Sequence, residues 1–81
     1  MTQPVPAAVP VPPSAVSVSV NGEDRSVPAG TALATLVAAL TTAPSGVAAA
    51  VNEAVVPRGQ WSATVLADGD RVEVLTAVQG G

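Results

Sequence analysis

Few residues in this chain are equipped for covalent chemistry. Six carboxylates and three arginines carry all of its side-chain charge, and it has no histidine and no cysteine. Without histidine there is neither the usual general base nor the usual metal ligand. Without cysteine there is no thiolate nucleophile, no disulfide and no thiolate zinc site. No residue is therefore assigned as catalytic or metal-ligating. What remains is the pair Gly80-Gly81 that closes the sequence. Glycine tolerates almost any backbone angle and lets another backbone come close. The stretch from Ala77 to Gly81, extended, reaches about 17 Å, enough to enter a narrow channel in another protein. A side chain at position 80 or 81 would add bulk there. A terminal carboxylate has a pKa of about 3.3–3.7 and is an anion near neutrality. An anion is a poor electrophile, so such a group must be activated before it takes part in acyl transfer. Taken alone, the pair is equally a terminus of small residues.

The elements that must hold this tail are small. A chain of 81 residues has room for one domain with a modest core. The net charge of −3 comes with only Arg25, Arg58 and Arg71 as cations, scattered along the sequence. Nucleic-acid binding asks for a basic face that releases counterions, so no nucleic-acid partner is expected. Two long uncharged stretches, Met1–Gly22 and Ser26–Asn52, are long enough to raise the question of a membrane. The first is broken by Pro4, Pro6, Pro10, Pro12 and Pro13. The second holds Pro28, Gly30, Pro44 and Gly46 and is rich in alanine. Neither makes a span or a secretory signal, and the chain reads as cytoplasmic. Residues 1–15 form a separate, proline-rich extension, expected to be mobile and polyproline-like; residues 16–76 are the domain and 77–81 the tail.

Within the domain, Val16-Ser17-Val18-Ser19-Val20 alternates with the period of a half-buried strand. Asn21-Gly22 is a strong hairpin signal, and Asp24–Val27 returns as the second strand. Thr31 stands where it can cap a helix. Leu33, Leu36, Val37 and Leu40 then form one apolar stripe. No carboxylate completes a capping box, so the helix start is weakly specified. Val47–Val51 is short and valine-bounded and reads as a strand. Asn52-Glu53 is a tight turn, and Ala54–Val56 a short return strand ended by Pro57. A longer connection, Arg58–Ala67, carries Trp61, the single aromatic residue, as a plug over one end of the core. Asp68-Gly69-Asp70 is a turn before the last strand, from Arg71 to Val74. The order predicts an α+β fold: a mixed sheet of four to five strands with one main helix packed on one face.

Several phrases in the second half narrow this further. They are Val51-Asn52-Glu53, Val56-Pro57-Arg58, Trp61, Leu66-Ala67-Asp68-Gly69-Asp70-Arg71-Val72-Glu73-Val74, and Val78-Gln79-Gly80-Gly81. In that order and at that spacing, over roughly residues 16–81, they resemble the thiamine-biosynthesis sulfur carrier family, ThiS, whose fold is the ubiquitin-like β-grasp. The Asp-Gly-Asp and Gly-Gly pieces also resemble the molybdopterin-synthase small subunit, MoaD. That family often has prolines shortly before the glycine pair, where this chain has Thr76-Ala77-Val78.

The resemblance implies a sulfur carrier that is not itself an enzyme. The Gly81 carboxylate would be adenylated with ATP by a ThiF-like adenylating enzyme. A persulfide sulfurtransferase would convert it to a thiocarboxylate. Thiazole synthase, ThiG, would take the sulfur into the thiazole ring. Val78, Gln79 and Gly80 would thread the partner's channel. No cofactor would be bound by the chain; ATP and a metal belong to the activating partner. The same activated carboxylate would serve a molybdopterin-type or cysteine-pathway sulfur carrier, or a ubiquitin-like modifier conjugated through its C-terminal glycine.

The alternation also predicts faces. With Val16, Val18, Val20, Val72 and Val74 turned to the helix, the other side of the sheet holds Ser17, Ser19, Ala48, Ala50, Arg71, Glu73 and Leu75. This flat face is the expected partner-docking surface, with Leu75 as anchor and Arg71 and Glu73 beside it. Asp68 and Asp70 are expected to serve the turn. Trp61 is expected in the core, and Arg58 in solvent or paired with a partner carboxylate.

Overall fold

A computed structural model of the chain describes residues 15–43 and 45–77. Five strands, one α-helix and one 3-10 helix run in the order β1 (Ala15–Val20), β2 (Glu23–Pro28), α1 (Leu33–Leu40), β3 (Val47–Val51), β4 (Ala54–Val56), the 3-10 helix Arg58–Ala63, and β5 (Arg71–Thr76). The strands form a single mixed sheet in the order β2-β1-β5-β3-β4. β1 and β5 are parallel; the other neighbours are antiparallel. The last strand in sequence thus lies in the middle of the sheet. Among the described residues no helix is long and apolar enough to cross a membrane.

Both predicted tight turns form. Asn21 and Gly22 have φ of 51° and 87°, and Asn52 and Glu53 have φ of 52° and 72°. Positive φ at both central residues gives a turn whose twist matches that of the flanking strands. Asparagine tolerates this region well, whereas Glu53 occupies it against its preference. The two asparagines have a second role. The amide of Asn21 accepts from the Val74 N–H at 2.8 Å and donates to the Val74 carbonyl at 3.1 Å. Its own N–H donates to the Val72 carbonyl at 2.9 Å. The side chain therefore continues the parallel β1–β5 ladder where the β1 backbone has already turned away. On the other side of β5, Asn52 accepts from the Arg71 N–H at 2.9 Å, and its backbone N–H donates to the Arg71 carbonyl at 2.7 Å.

The core lies between the sheet and α1. Val16, Val18, Val20, Val72, Val74 and Ala49 line the sheet side, and Leu33, Leu36 and Val37 the helix side. Each full Val or Leu burial contributes about 1.5–3 kcal/mol. Trp61 closes one end as expected. It is buried, and its indole N–H donates to the Val56 carbonyl at 2.8 Å. The connection that carries it is more ordered than the sequence predicts, because the 3-10 helix Arg58–Ala63 presents Trp61 to the core.

The helix start departs from expectation. Thr31 does not cap α1; Ala32 holds the N-cap position and makes no side-chain cap. The Thr31 hydroxyl donates to the Pro28 carbonyl at 2.6 Å, closing the turn after β2. A short antiparallel bridge between Ala32 and Val65 commits the backbone just before the helix, and the Leu33 N–H donates to the Thr64 carbonyl at 2.7 Å. A distant loop does the work of the cap.

Replacing the Asn21 side chain while keeping its backbone angle isolates the ladder extension. Asn21→Gly is expected to destabilise the protein by about 1–3 kcal/mol, the scale of losing bonds to partly buried backbone groups. It would be read as a lower urea midpoint at unchanged slope.

Candidate functional site

β5 carries the expected docking residues and leads toward the tail. Its alternation is strict: Val72 and Val74 are buried, and Arg71, Glu73 and Leu75 are exposed. Pairing extends this pattern across the sheet. Ala48 lies opposite Leu75 and Ala50 opposite Glu73, while Ala49, opposite Val74, is buried. The uncovered face is thus assembled as the alternation predicts.

One member was not foreseen. Ala50 pairs with Val55, which places Val55 on the same uncovered face, where it is 76% exposed; Leu75 is 70% exposed. Ala48, Ala50, Val55 and Leu75 form an apolar strip across β5, β3 and β4. They line a shallow depression of about 140 Å³ together with Ala49 and Glu73. The signal for Val55 was present in the sequence, since a two-residue turn at Asn52-Glu53 fixes position 55 opposite position 50. Uncovered apolar side chains of this kind, gathered rather than scattered, mark interaction surfaces.

The charged residues near the strip have different roles. Arg71 pairs with Glu53 at 2.7 Å, with both side chains largely in solvent. Such a pair is worth little to stability, but it orients the guanidinium beside the β3–β4 turn. Glu73 sits at the rim of the depression with no ion-pair partner among the described residues. Arg58 lies on the opposite side of the sheet, 5.4 Å from the centre of the Trp61 ring, a distance suited to a cation–π contact. It covers the ring.

Both aspartates are spent on structure: Asp70 serves the turn as expected and also reaches Asn52, whereas Asp68 reaches back to β1. Asp68 accepts from the Ser17 N–H at 2.7 Å. Asp70 accepts from the Ala67 N–H at 2.8 Å and from the Asn52 amide at 3.0 Å. The four tail positions, Val78, Gln79, Gly80 and Gly81, lie outside the described residues, as do residues 1–14. The chain is described to Ala77, whose N–H donates to the Gly46 carbonyl at 2.6 Å.

A family model described as the ThiS family matches residues 18–81. A thiazole synthase of Magnetococcus marinus (strain ATCC BAA-1437 / JCM 17883 / MC-1) is 41% identical over 66 residues, which is 82% of this chain; the chain spans only 20% of that relative's length. The sulfur carrier protein ThiS of Escherichia coli (strain K12) is 31% identical over 61 residues, covering 75% of this chain and 92% of that protein. The crystal structure of the thiamine biosynthesis protein ThiS from Geobacter metallireducens superposes with a TM-score of 0.67 at 32% identity. It covers 82% of this chain and all of the other. The β-grasp expectation is met by this likeness together with the five-stranded sheet and its single α-helix.

Burial separates the surface strip from the core plug. Leu75→Arg is expected to leave stability within about 0.5 kcal/mol, whereas Trp61→Ala is expected to cost about 3–5 kcal/mol. Thermal melts followed by circular dichroism would distinguish them.

Proposed function

We infer the function of this chain from its membership: it belongs to the ThiS family, and it is a sulfur carrier for thiamine biosynthesis. The observation that carries the reading is the family match, which runs through the Gly80-Gly81 pair and is joined by a solved ThiS structure of the same fold.

The chemistry we propose places the sulfur on the backbone rather than on any side chain. A ThiF-like adenylating enzyme joins the Gly81 carboxylate to AMP from ATP, which turns an unreactive anion into an acyl group with a good leaving group. The terminal sulfur of a sulfurtransferase persulfide then displaces AMP and forms an acyl disulfide with that enzyme. A thiol of a partner or of the medium cleaves the S–S bond, which releases the thiocarboxylate at Gly81 and leaves the sulfurtransferase sulfur in a disulfide with that thiol. The metal, the oxyanion donors and the nucleotide site are supplied by the partner. This division of labour suits a chain without histidine or cysteine, and in it the chain is substrate and carrier rather than enzyme. The body, residues 16–76, is a handle, and residues 77–81 are the working segment, with Val78, Gln79 and Gly80 in the partner's channel.

Thiazole synthase is the proposed recipient. In support, a segment similar to this chain makes up a fifth of the length of a thiazole synthase. Docking falls to the uncovered face of the sheet. Leu75 is the anchor, Ala48, Ala50 and Val55 provide flat apolar contact, and Arg71 and Glu73 supply polar contacts at the margin.

Intact mass spectrometry tests the sulfur chemistry. After incubation with ATP, a ThiF-like enzyme, a persulfide donor and a thiol reductant, the protein is expected to exchange one oxygen for sulfur at Gly81. Conjugates of the chain with lysines of other proteins would instead indicate a ubiquitin-like modifier. The docking surface is tested separately: Leu75→Arg is expected to raise KM for adenylation roughly thirty-fold, on the scale of losing an interface hot spot of about 2 kcal/mol. An unchanged KM removes Leu75 from the surface.

A further inference from the structure

The sulfur-carrier reading requires the tail to leave the body at a defined point, and one glycine stands at that point. β3 and β5 pair from Val51↔Val72 to Val47↔Thr76. One step beyond the last pair, the Ala77 N–H donates to the Gly46 carbonyl. Gly46 has φ of +73°, where an L-side chain is strained. A Cβ built on Gly46 would lie 3.2 Å from the Ala77 Cβ, inside the 3.5–4.0 Å of an ordinary carbon–carbon contact (about this range). The other described glycines, Gly22, Gly30, Gly59 and Gly69, have nothing within 4 Å of the same built atom. Among the described glycines, Gly46 therefore combines a left-handed backbone with close packing against another segment, and that segment is the root of the tail.

We propose that Gly46 is a positioning residue for acyl activation: it tethers Ala77 and so fixes the root from which the working segment begins. The proposal rests on the sulfur-carrier reading and adds to it. Leu75 is two residues before the tether and on the docking face. A partner holding that face would then receive the tail from a fixed root, with the distance from anchor to Gly81 set by the chain. An L-side chain at position 46 is strained at this φ and crowds the Ala77 Cβ, which must give by a few tenths of an ångström; relief of either weakens the bond from the Ala77 N–H. A weakened tether leaves the root less sharply placed, and reacting groups held about 1 Å from their working position can lose on the order of 10²-fold in rate. The loss falls on kcat, because the docking face itself is unaltered.

The test uses the full chain and the ThiF-like adenylating enzyme of the same organism. Gly46→Ala is compared with a synthetic chain carrying D-alanine at position 46, which accepts a positive φ and places its methyl group at the other tetrahedral position of Cα, not the one that lies 3.2 Å from the Ala77 Cβ. In Gly46→Ala, amide exchange at Ala77 is expected to lose protection while Val74 keeps it. Adenylation kcat is expected to fall roughly ten- to hundred-fold, with KM within about two-fold. The D-alanine chain is expected to restore both the protection and kcat. If Gly46→Ala is adenylated with the wild-type kcat, or if the D-alanine chain is as slow as the L-alanine one, the tether is overturned and the sulfur-carrier reading stands. If the wild-type chain is not adenylated at all, it is the sulfur-carrier reading that falls, and the tether's role in activation falls with it.

Discussion

The parallel pairing of β1 with β5 is the constraint on which the rest of this structure depends. Without it the sheet is two antiparallel pieces, β2–β1 and β5–β3–β4, with no hydrogen-bonded ladder between them. The backbone register is brief, Ser19↔Arg71 and Val20↔Val72, because β1 must turn at Asn21. Side chains lengthen it at both ends. Asn21 continues the ladder to Val74, and Asp68 takes the Ser17 N–H at the other end. Parallel neighbours need a crossover, and α1, the β3–β4 hairpin and the 3-10 helix fill it here. The same pairing brings Val18, Val20, Val72 and Val74 side by side beneath α1, which gives the core its sheet wall.

The two sides of the sheet then diverge. On the helix side, Trp61 and the valines leave no buried side-chain polar atom without a partner among the described residues. On the other side no described residue covers Ala48, Ala50, Val55 and Leu75. The small residues keep that surface flat, and the ion pair of Arg71 with Glu53 lies beside it. β5 is thus held firmly from within while its outer face stays open, which suits the proposed role of the body as a handle.

Much of this was legible in the sequence because strand and turn chemistry is local. Alternating valines fixed which side of β1 and β5 is buried, Asn-Gly announced the first hairpin, and the Leu33–Leu40 stripe announced the helix. The misreading at Thr31 has a physical cause. A threonine before an apolar stripe looks like a cap from local pattern alone, but the carbonyl of Thr64, far along the chain, had already satisfied the Leu33 N–H. The asparagine clamps were hidden for the same reason: Asn21 reaches a residue 53 positions away. At the candidate site, parity was sufficient for Leu75 and its neighbours. The closeness of Gly46 to Ala77 depends on how β3 and β5 meet, which no local pattern encodes.

A central strand that comes last in the chain also has a consequence in time. As the polypeptide is synthesised, β1 to β4 emerge before the strand that joins them, with the inner edges of β1 and β3 unpaired. Long-range pairings of this kind are slow to form and leave aggregation-prone edges open while they wait. Charges on β2, at Glu23, Asp24 and Arg25, and the brevity of β4 guard the outer edges. The inner edges have no such protection until Arg71–Thr76 arrives. Assembly of the sheet is therefore a late event, completed by the same segment that leads to the tail.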